Sequence, residues 1–321
     1  MPTKFPVLLK AVDRVEITTL IDNYVDVLLP STDVVTRPPL SIEGKVKGDT
    51  FLAEHGLSLL VTIYQGEDKH TILLDTGYTK VGVLHNMEQM GIDVKEIETI
   101  VLSHGHMDHT GSLNAILDKM PGRIPLVVHP GAFVYPRYTR QPDGAKNLWP
   151  RTLVKDDLEQ KNIEMVESES PTLIADDMIM VTGTVERTTE FEKGMPNALV
   201  EKDGEIVKDP IIDDQALVIK LNEKGLVVIT GCAHAGVINT VMFAQKTTEE
   251  QKIHAVLGGF HLTGPFFEKI HDETFEELKK FDLDVISPMH CTGRKAVQRI
   301  SEEFPSGFVL NSVGSKMTLS S

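Results

Sequence analysis

The segment TIVLSHGHMDHTGSLNAIL, residues 99–117, places three histidines and an aspartate within six positions, between an apolar strand-like run and an apolar helical run. Several ionisable groups cannot be buried together without partners, and an exposed cluster has no reason to interrupt two apolar elements. His104 and His106 are two apart, so an extended backbone throws both side chains the same way. Asp108 and His109 follow at a turn and can point to a neighbouring position. His and Asp are natural ligands of zinc and similar borderline divalent ions. One short loop can therefore serve two metals about 3.5–4 Å apart. A metal centre at the end of a strand is expected.

The same punctuation recurs along the chain. Runs 15–20, 57–64, 70–78, 97–104, 124–130, 225–234, 253–261 and 283–291 are apolar, rich in β-branched residues and bounded by turn formers, which predicts strands. Helices are expected over 81–91, 111–120, 235–246, 267–281 and 293–304, with short strands and turns over 162–221. Strand after strand ends in His or Asp where a turn begins, and strand-end loops are where a rigid sheet presents chemistry. No Pro/Ser-rich linker separates the halves, so residues 1–321 are expected to form one domain with sheets inside and helices outside.

The 321 residues carry a net charge of −15. Duplex binding needs a cationic footprint, so nucleic acid is disfavoured as a partner. No apolar run reaches the roughly 18 residues that span a bilayer, and the N-terminal stretch lacks the pattern of a signal peptide. Cys232 and Cys291 each lie within two residues of a histidine, which fits a reduced cytoplasmic protein better than a disulfide scaffold. One segment opposes the acidic trend. Residues 133–155 hold Arg137, Arg140, Lys146, Arg151 and Lys155 against Asp143, with Tyr135, Tyr138 and Trp149 among them. This is either a solvated loop with aromatic anchors or a basic, aromatic flap over a site for an anionic substrate.

SHGHMDHTG resembles the HxHxDH signature of the metallo-β-lactamase superfamily, and the upstream LLDTG matches that superfamily's first motif. The resemblance implies an α+β fold, a four-layer αβ/βα sandwich with metals at one edge of two facing sheets. It implies a metal-dependent enzyme with two divalent ions, zinc first, with Mn, Fe or Mg as alternatives. Carried over residue by residue, it implies one site of His104, His106 and His234 and a second of Asp108, His109 and His290. Gly231-Cys232 stands where many relatives have Gly-Asp, so Cys232 is the candidate bridging ligand. Asp75 is expected to orient a ligand histidine. ITTLIDN, AEHGLSLLV, DDQALVI, GLVVITGCAHAGVINTV, GGFHLTG and MHCTG are more narrowly similar to the branch named after 7,8-dihydropterin-6-methyl-4-(β-D-ribofuranosyl)aminobenzene-5′-phosphate synthase. That enzyme joins a dihydropterin methyl diphosphate to an aminobenzene ribose phosphate in methanopterin synthesis.

Other residues fit the strand-end pattern. His261 is expected in the site, touching substrate rather than metal, with His55 a weaker candidate and His129 weaker still. Asp22 and Asn23 fit a simple turn equally well. His70, His85, His254 and His271 have no partner motif. Arg294 and Lys295 stand at a helix start, where free N–H groups favour anions. The expected function is hydrolysis by metal-bound hydroxide of a small, anionic, phosphorylated substrate. Asp108 would hold the second metal and accept the nucleophile's proton. The alternative is the dihydropterin-type transferase, with the same ligands binding a departing diphosphate. A di-iron redox enzyme is disfavoured, since such relatives usually carry glutamate where this chain has His106. A homo-oligomer is compatible with the sequence, which does not fix the assembly.

Overall fold

The computed structural model describes residues 6–46 and 48–321; the first five residues of the stretch inspected for a signal peptide lie outside them. One sheet has the spatial order Ile163–Glu167, Ile124–Val128, Thr99–Val101, Asp68–Leu74, Ser58–Gln65, Arg14–Ile21, Lys316–Ser320, Val35–Thr36. The other runs Thr172–Ile174, Ile179–Val181, Ala216–Leu221, Gly225–Thr230, Ile253–Gly259, Val285–Met289, with Ala11–Val12 also on Ala216–Leu221.

Strand parity explains why these sheets stack. Successive residues point to opposite faces. Val61, Ile72, Leu74, Val101 and Val127 share one core with Leu217, Ile219, Val227, Ile229 and Leu257 of the facing sheet. The alternate residues Leu60, Leu73, Ile100 and Leu126 pack instead with Val83, Met87, Leu113 and Ile116 of helices Gly82–Met90 and Leu113–Leu117. On the far side, Val218, Leu226, Val228, Val256 and Ile286 pack with Val241, Phe275 and Ile300 of helices Val237–Thr248, His271–Lys280 and Arg294–Glu303. Helices, sheet, sheet and helices make the four layers, and each buried aliphatic side chain contributes about 1.5–3 kcal/mol.

The chain ends tie the two sheets together. Ala11–Val12 pairs with Lys220 and Leu221, and Lys316–Ser320 pairs with Arg14–Ile21. Asp68–Leu74, Thr99–Val101 and Ile124–Val128 run parallel, as do Gly225–Thr230, Ile253–Gly259 and Val285–Met289. Each set therefore releases its chain at one common edge.

Two expectations need correction. The helix expected over 111–120 is shortened to Leu113–Leu117, and a separate helical turn, Met107–Thr110, precedes it. Between them Gly111 passes so close to Tyr78 that a Cβ would lie 1.8 Å from the Tyr78 carbonyl oxygen. The basic segment is also not a uniformly solvated cationic loop. Arg137–Arg140 and Lys146–Leu148 form a hairpin, extended by Ala198–Lys202 and Glu205–Lys208 into a four-stranded sheet. Arg137 is buried within it, its Nε 3.0 Å from Asp209 Oδ2 and its Nη2 2.6 Å from Asp213 Oδ1. These carboxylates consume its charge, and Lys155 is likewise paired with Glu167 at 2.6 Å.

Candidate metal centre

The parallel strands end in Asp75, Ser103-His104, His129, Cys232, His261 and His290 at or just beyond their last residues. Asp75, Ala233, His261 and His290 are non-glycine residues with φ of 59°, 53°, 46° and 48°. Such backbone costs about 1–3 kcal/mol per residue and persists only where surrounding structure imposes it.

On one side His104, His106 and His234 converge. His104 Nε2 is 2.9 Å and His234 Nε2 3.2 Å from His106 Nδ1. All three rings are buried. Burial, and then the neighbouring imidazoles, push their pKa values well below the usual histidine value, which favours the neutral form that a metal requires.

On the other side stand Asp108, His109 and His290. Asp108 Oδ2 lies 3.3 Å from His290 Nε2, 3.9 Å from His109 Nε2 and 3.7 Å from His55 Nε2. Burial opposes the Asp108 charge, but the His109 and His290 imidazoles outweigh it and hold the carboxyl well below its usual range. His109 is the converse. Burial opposes its charge, while Asp75 and Asp108 raise its pKa to about 9. A divalent ion bound at Nε2 would displace that proton.

Cys232 lies between the two sides. Its Sγ is 3.2 Å from His109 Nε2, and it completes the sets His104–Cys232–His234 and His109–Cys232–His290, whose donor atoms lie within 4.8 Å of one another. His55, Asp108 and His290 form a further set of the same spread. Nε2 of His106, Nδ1 of His234 and Nε2 of His290 are buried without a hydrogen-bond partner. Orphaned buried nitrogens are rare. Neutral imidazoles, a thiol and a carboxylate suit a zinc-like ion, so the residues present fit the group.

The supports are equally defined. Asp75 Oδ2 is 2.6 Å from His109 Nδ1 and accepts from Ser103 Oγ at 2.6 Å, while Oδ1 accepts from Ser103 N at 2.7 Å. Asp75 thus fixes which ring nitrogen of His109 faces the centre. His290 is oriented by Asn23, whose Oδ1 is 3.1 Å from Nδ1, and by Asp22, which accepts from the His290 N–H at 2.8 Å. Asp22 and Asn23 are therefore supports for His290, beyond a simple turn. His55 joins them, its Nδ1 3.2 Å from Asn23 Nδ2. His261 stacks against His234 with centroids 4.3 Å apart.

Other candidates fall outside. His129 bonds Thr184 and the Gly131 N–H. His70 pairs with Glu98 and Asp176, His254 with Asp284, His85 bonds the Thr50 carbonyl, and His271 the Leu262 carbonyl. Arg294 lines a cavity of about 650 Å³ beside Asn23, Tyr24 and His290. Lys295 is not among its lining residues and pairs with Glu268 at 2.8 Å.

Asp213, Asp214 and Gln215 support the site although their residue types alone assign them no role. Asp213 accepts from the Gly105 N–H, Asp214 from the Ala235 N–H, and Gln215 binds the Ser103 and Leu102 carbonyls. They brace both ligand loops at once. Three adjacent polar residues directly before an apolar strand were the available signal.

Comparison with known proteins agrees with this geometry. Residues 54–176 match the metallo-β-lactamase superfamily. The chain is 34% identical over 261 residues to the 7,8-dihydropterin-6-methyl-4-(β-D-ribofuranosyl)-aminobenzene-5′-phosphate synthase of Methanocaldococcus jannaschii, covering 80% of this chain and 87% of that protein. It is also 34% identical over 267 residues to an uncharacterised protein of the same organism, covering 82% and 93%. Among solved structures, a metal-dependent hydrolase of the β-lactamase superfamily superposes with a TM-score of 0.72 at 25% identity, covering 96% of this chain and all of that one. A diphosphatase of the PhnP family shares the fold, with a TM-score of 0.51 at 14% identity over 95% of this chain and 97% of that one. The fold implies divalent metal binding, and the chain is an enzyme of the metallo-β-lactamase superfamily, in the branch that holds the methanocaldococcal synthase.

Proposed function

We propose that the protein is a hydrolase that binds two divalent ions, zinc by preference, and acts on a small phosphorylated substrate. His104, His106 and His234 hold one ion and Asp108, His109 and His290 the other, with Cys232 shared between them. The observation that carries this reading is the convergence of five buried imidazoles, His104, His106, His109, His234 and His290, around one thiol and one carboxylate. Bound ions would supply Lewis-acid polarisation of the scissile group and would lower the pKa of water to about 7.

The chain's own residues then divide the work. Asp108 remains ionised and partly accessible, so it can hold an ion and accept a hydrogen bond from the attacking nucleophile. Asp75 keeps His109 in one orientation, and Asn23 does the same for His290. Arg294 has no ion pair among the described residues and lines the cavity beside His290, where its guanidinium can receive a phosphate. His261, on the opposite flank, lines a cavity of about 190 Å³ with Phe191, Lys193, Lys208 and Phe267, and contacts the substrate there.

A second reading has its own support. Similarity to the M. jannaschii synthase over 80% of this chain favours transfer, in which an aminobenzene ribose phosphate replaces water as the nucleophile. Incubating purified protein with a pterin methyl diphosphate separates the two. Diphosphate release without acceptor supports hydrolysis; release that requires the acceptor overturns it in favour of transfer.

A further inference from the structure

A fourth donor set adjoins the centre through Cys232. Cys232 Sγ, Cys291 Sγ and one His261 ring nitrogen all lie within 4.8 Å of one another. Both cysteines are free, and they are 2% and 4% exposed. Three strand ends supply the set: Gly225–Thr230 leads to Cys232, Ile253–Gly259 to His261 and Val285–Met289 to Cys291.

Two observations set this group apart from a chance meeting of core thiols. The Nδ1 of His261 is buried and has no hydrogen-bond partner. The approach of the two cysteines also depends on Gly259. A Cβ there would lie 2.7 Å from Cys291 Sγ and 3.3 Å from Cys232 Cα. A side chain at that strand end would also meet the Gly231 carbonyl oxygen at 2.3 Å, so glycine is what lets these strand ends close on one another.

We propose that Cys232, Cys291 and His261 form a binding site for a thiophilic ion, of the class of Cd²⁺, Zn²⁺ or Cu⁺, sharing the Cys232 sulfur with the two-ion centre. Two thiols, one imidazole and no carboxylate make a softer donor set than either side of that centre. Tetrahedral Zn–S bonds of about 2.3 Å place two thiolates roughly 3.8 Å apart, within the observed spread. An ion held here competes with the two-ion centre for Cys232 and with the substrate for His261, so a soft ion is an inhibitor.

The test reads ion binding and not catalysis, so its failure is distinct from failure of the hydrolytic reading. Chelator-stripped protein is kept reduced with a phosphine and titrated with Cd²⁺, following the ultraviolet charge-transfer absorption that grows with the number of bound thiolates. Cys291→Ser should lose roughly half the absorption and bind Cd²⁺ about tenfold more weakly. His104→Ala, which damages only the two-ion centre, should keep the two-thiolate absorption. An undiminished band in Cys291→Ser overturns the site. Should that variant fail to fold, His261→Ala serves instead. Its saturating absorption should be retained with affinity down about tenfold, and unchanged affinity overturns the site.

Discussion

The indole of Trp149 stands edge-on against the His106 imidazole, ring centroids 4.4 Å apart and planes at 87°. Trp149 belongs to the hairpin at 137–148 and its flank, where its Nε1 donates to Thr139 Oγ1. It is the sole tryptophan of the chain, so its emission reports on one ring of the proposed centre. Adding Co²⁺ to stripped protein should quench that emission in step with ion uptake, since the indole lies directly against the ring that would hold the open-shell ion. Uptake of Co²⁺ by elemental analysis with unchanged emission would place the ion elsewhere.

Asp75 acts on the metal through His109. A group that orients a ligand histidine is typically worth 10- to 100-fold in metal affinity. Asp75→Asn keeps the shape but removes the charge that helps hold His109 protonated up to about 9 in the ion-free protein. Near neutral pH the wild type should therefore release more protons on binding ions than Asp75→Asn does. Calorimetry in buffers of different ionisation enthalpy measures this, and equal proton release with equal affinity would refute the role.

Glu192 should impose a pH dependence on stability. Burial raises its pKa from 4.5 to about 7, against the backbone N–H groups of Asn239 and Ile238, which favour the carboxylate. The folded pKa exceeds the unfolded one, so this contribution is fully present below 4.5 and is lost as pH rises through about 7. Asp214, raised by burial to about 6, adds a loss in the window from 3.8 to 6. In the melting temperature these two contributions should fall across both windows, opposed by the buried imidazoles of His104, His106 and His234, whose lowered pKa values add stability as pH rises towards 6.5. Glu192→Gln should keep the lower loss and flatten the upper one; a slope unchanged above about pH 6 would show that Glu192 does not titrate there.

The layers and the metal loop were legible in the sequence because each rests on local signals. Continuous apolar runs such as Leu226 to Ile229 mark strands buried on both faces, and His104, His106, Asp108 and His109 lie within six positions of one another. His234 and His290 came only through family resemblance, since nothing local joins residues more than 120 positions from the cluster. The Arg137 charge was misjudged for a related reason. Its partners Asp209 and Asp213 lie over 70 residues away, and only the fold brings them within 3.0 Å. The braces Asp213, Asp214 and Gln215 bind backbone groups, which leave no mark in the residue types they hold.

Arg294 and Lys295 are neighbours at one helix start, yet the structure separates them. Lys295 is 77% exposed in its side chain and paired with Glu268, whereas Arg294 lines the cavity beside His290 without an ion pair among the described residues. Exposed pairs such as Lys295–Glu268 are worth little, so Lys295→Ala should leave activity and stability nearly unchanged. A phosphate held by Arg294 would gain charge-assisted hydrogen bonds of roughly 1.5–3 kcal/mol each. Losing one contact should weaken binding about ten- to a hundredfold, because each 1.4 kcal/mol is a factor of ten. Arg294→Ala should accordingly raise KM for a phosphorylated substrate by that factor, leave bound metal unchanged and barely alter turnover of a neutral ester. The pair of substrates is the control for general damage, since a disturbed helix start would slow both. If the two substrates respond alike, the anion is held by another group and Arg294 is not the clamp.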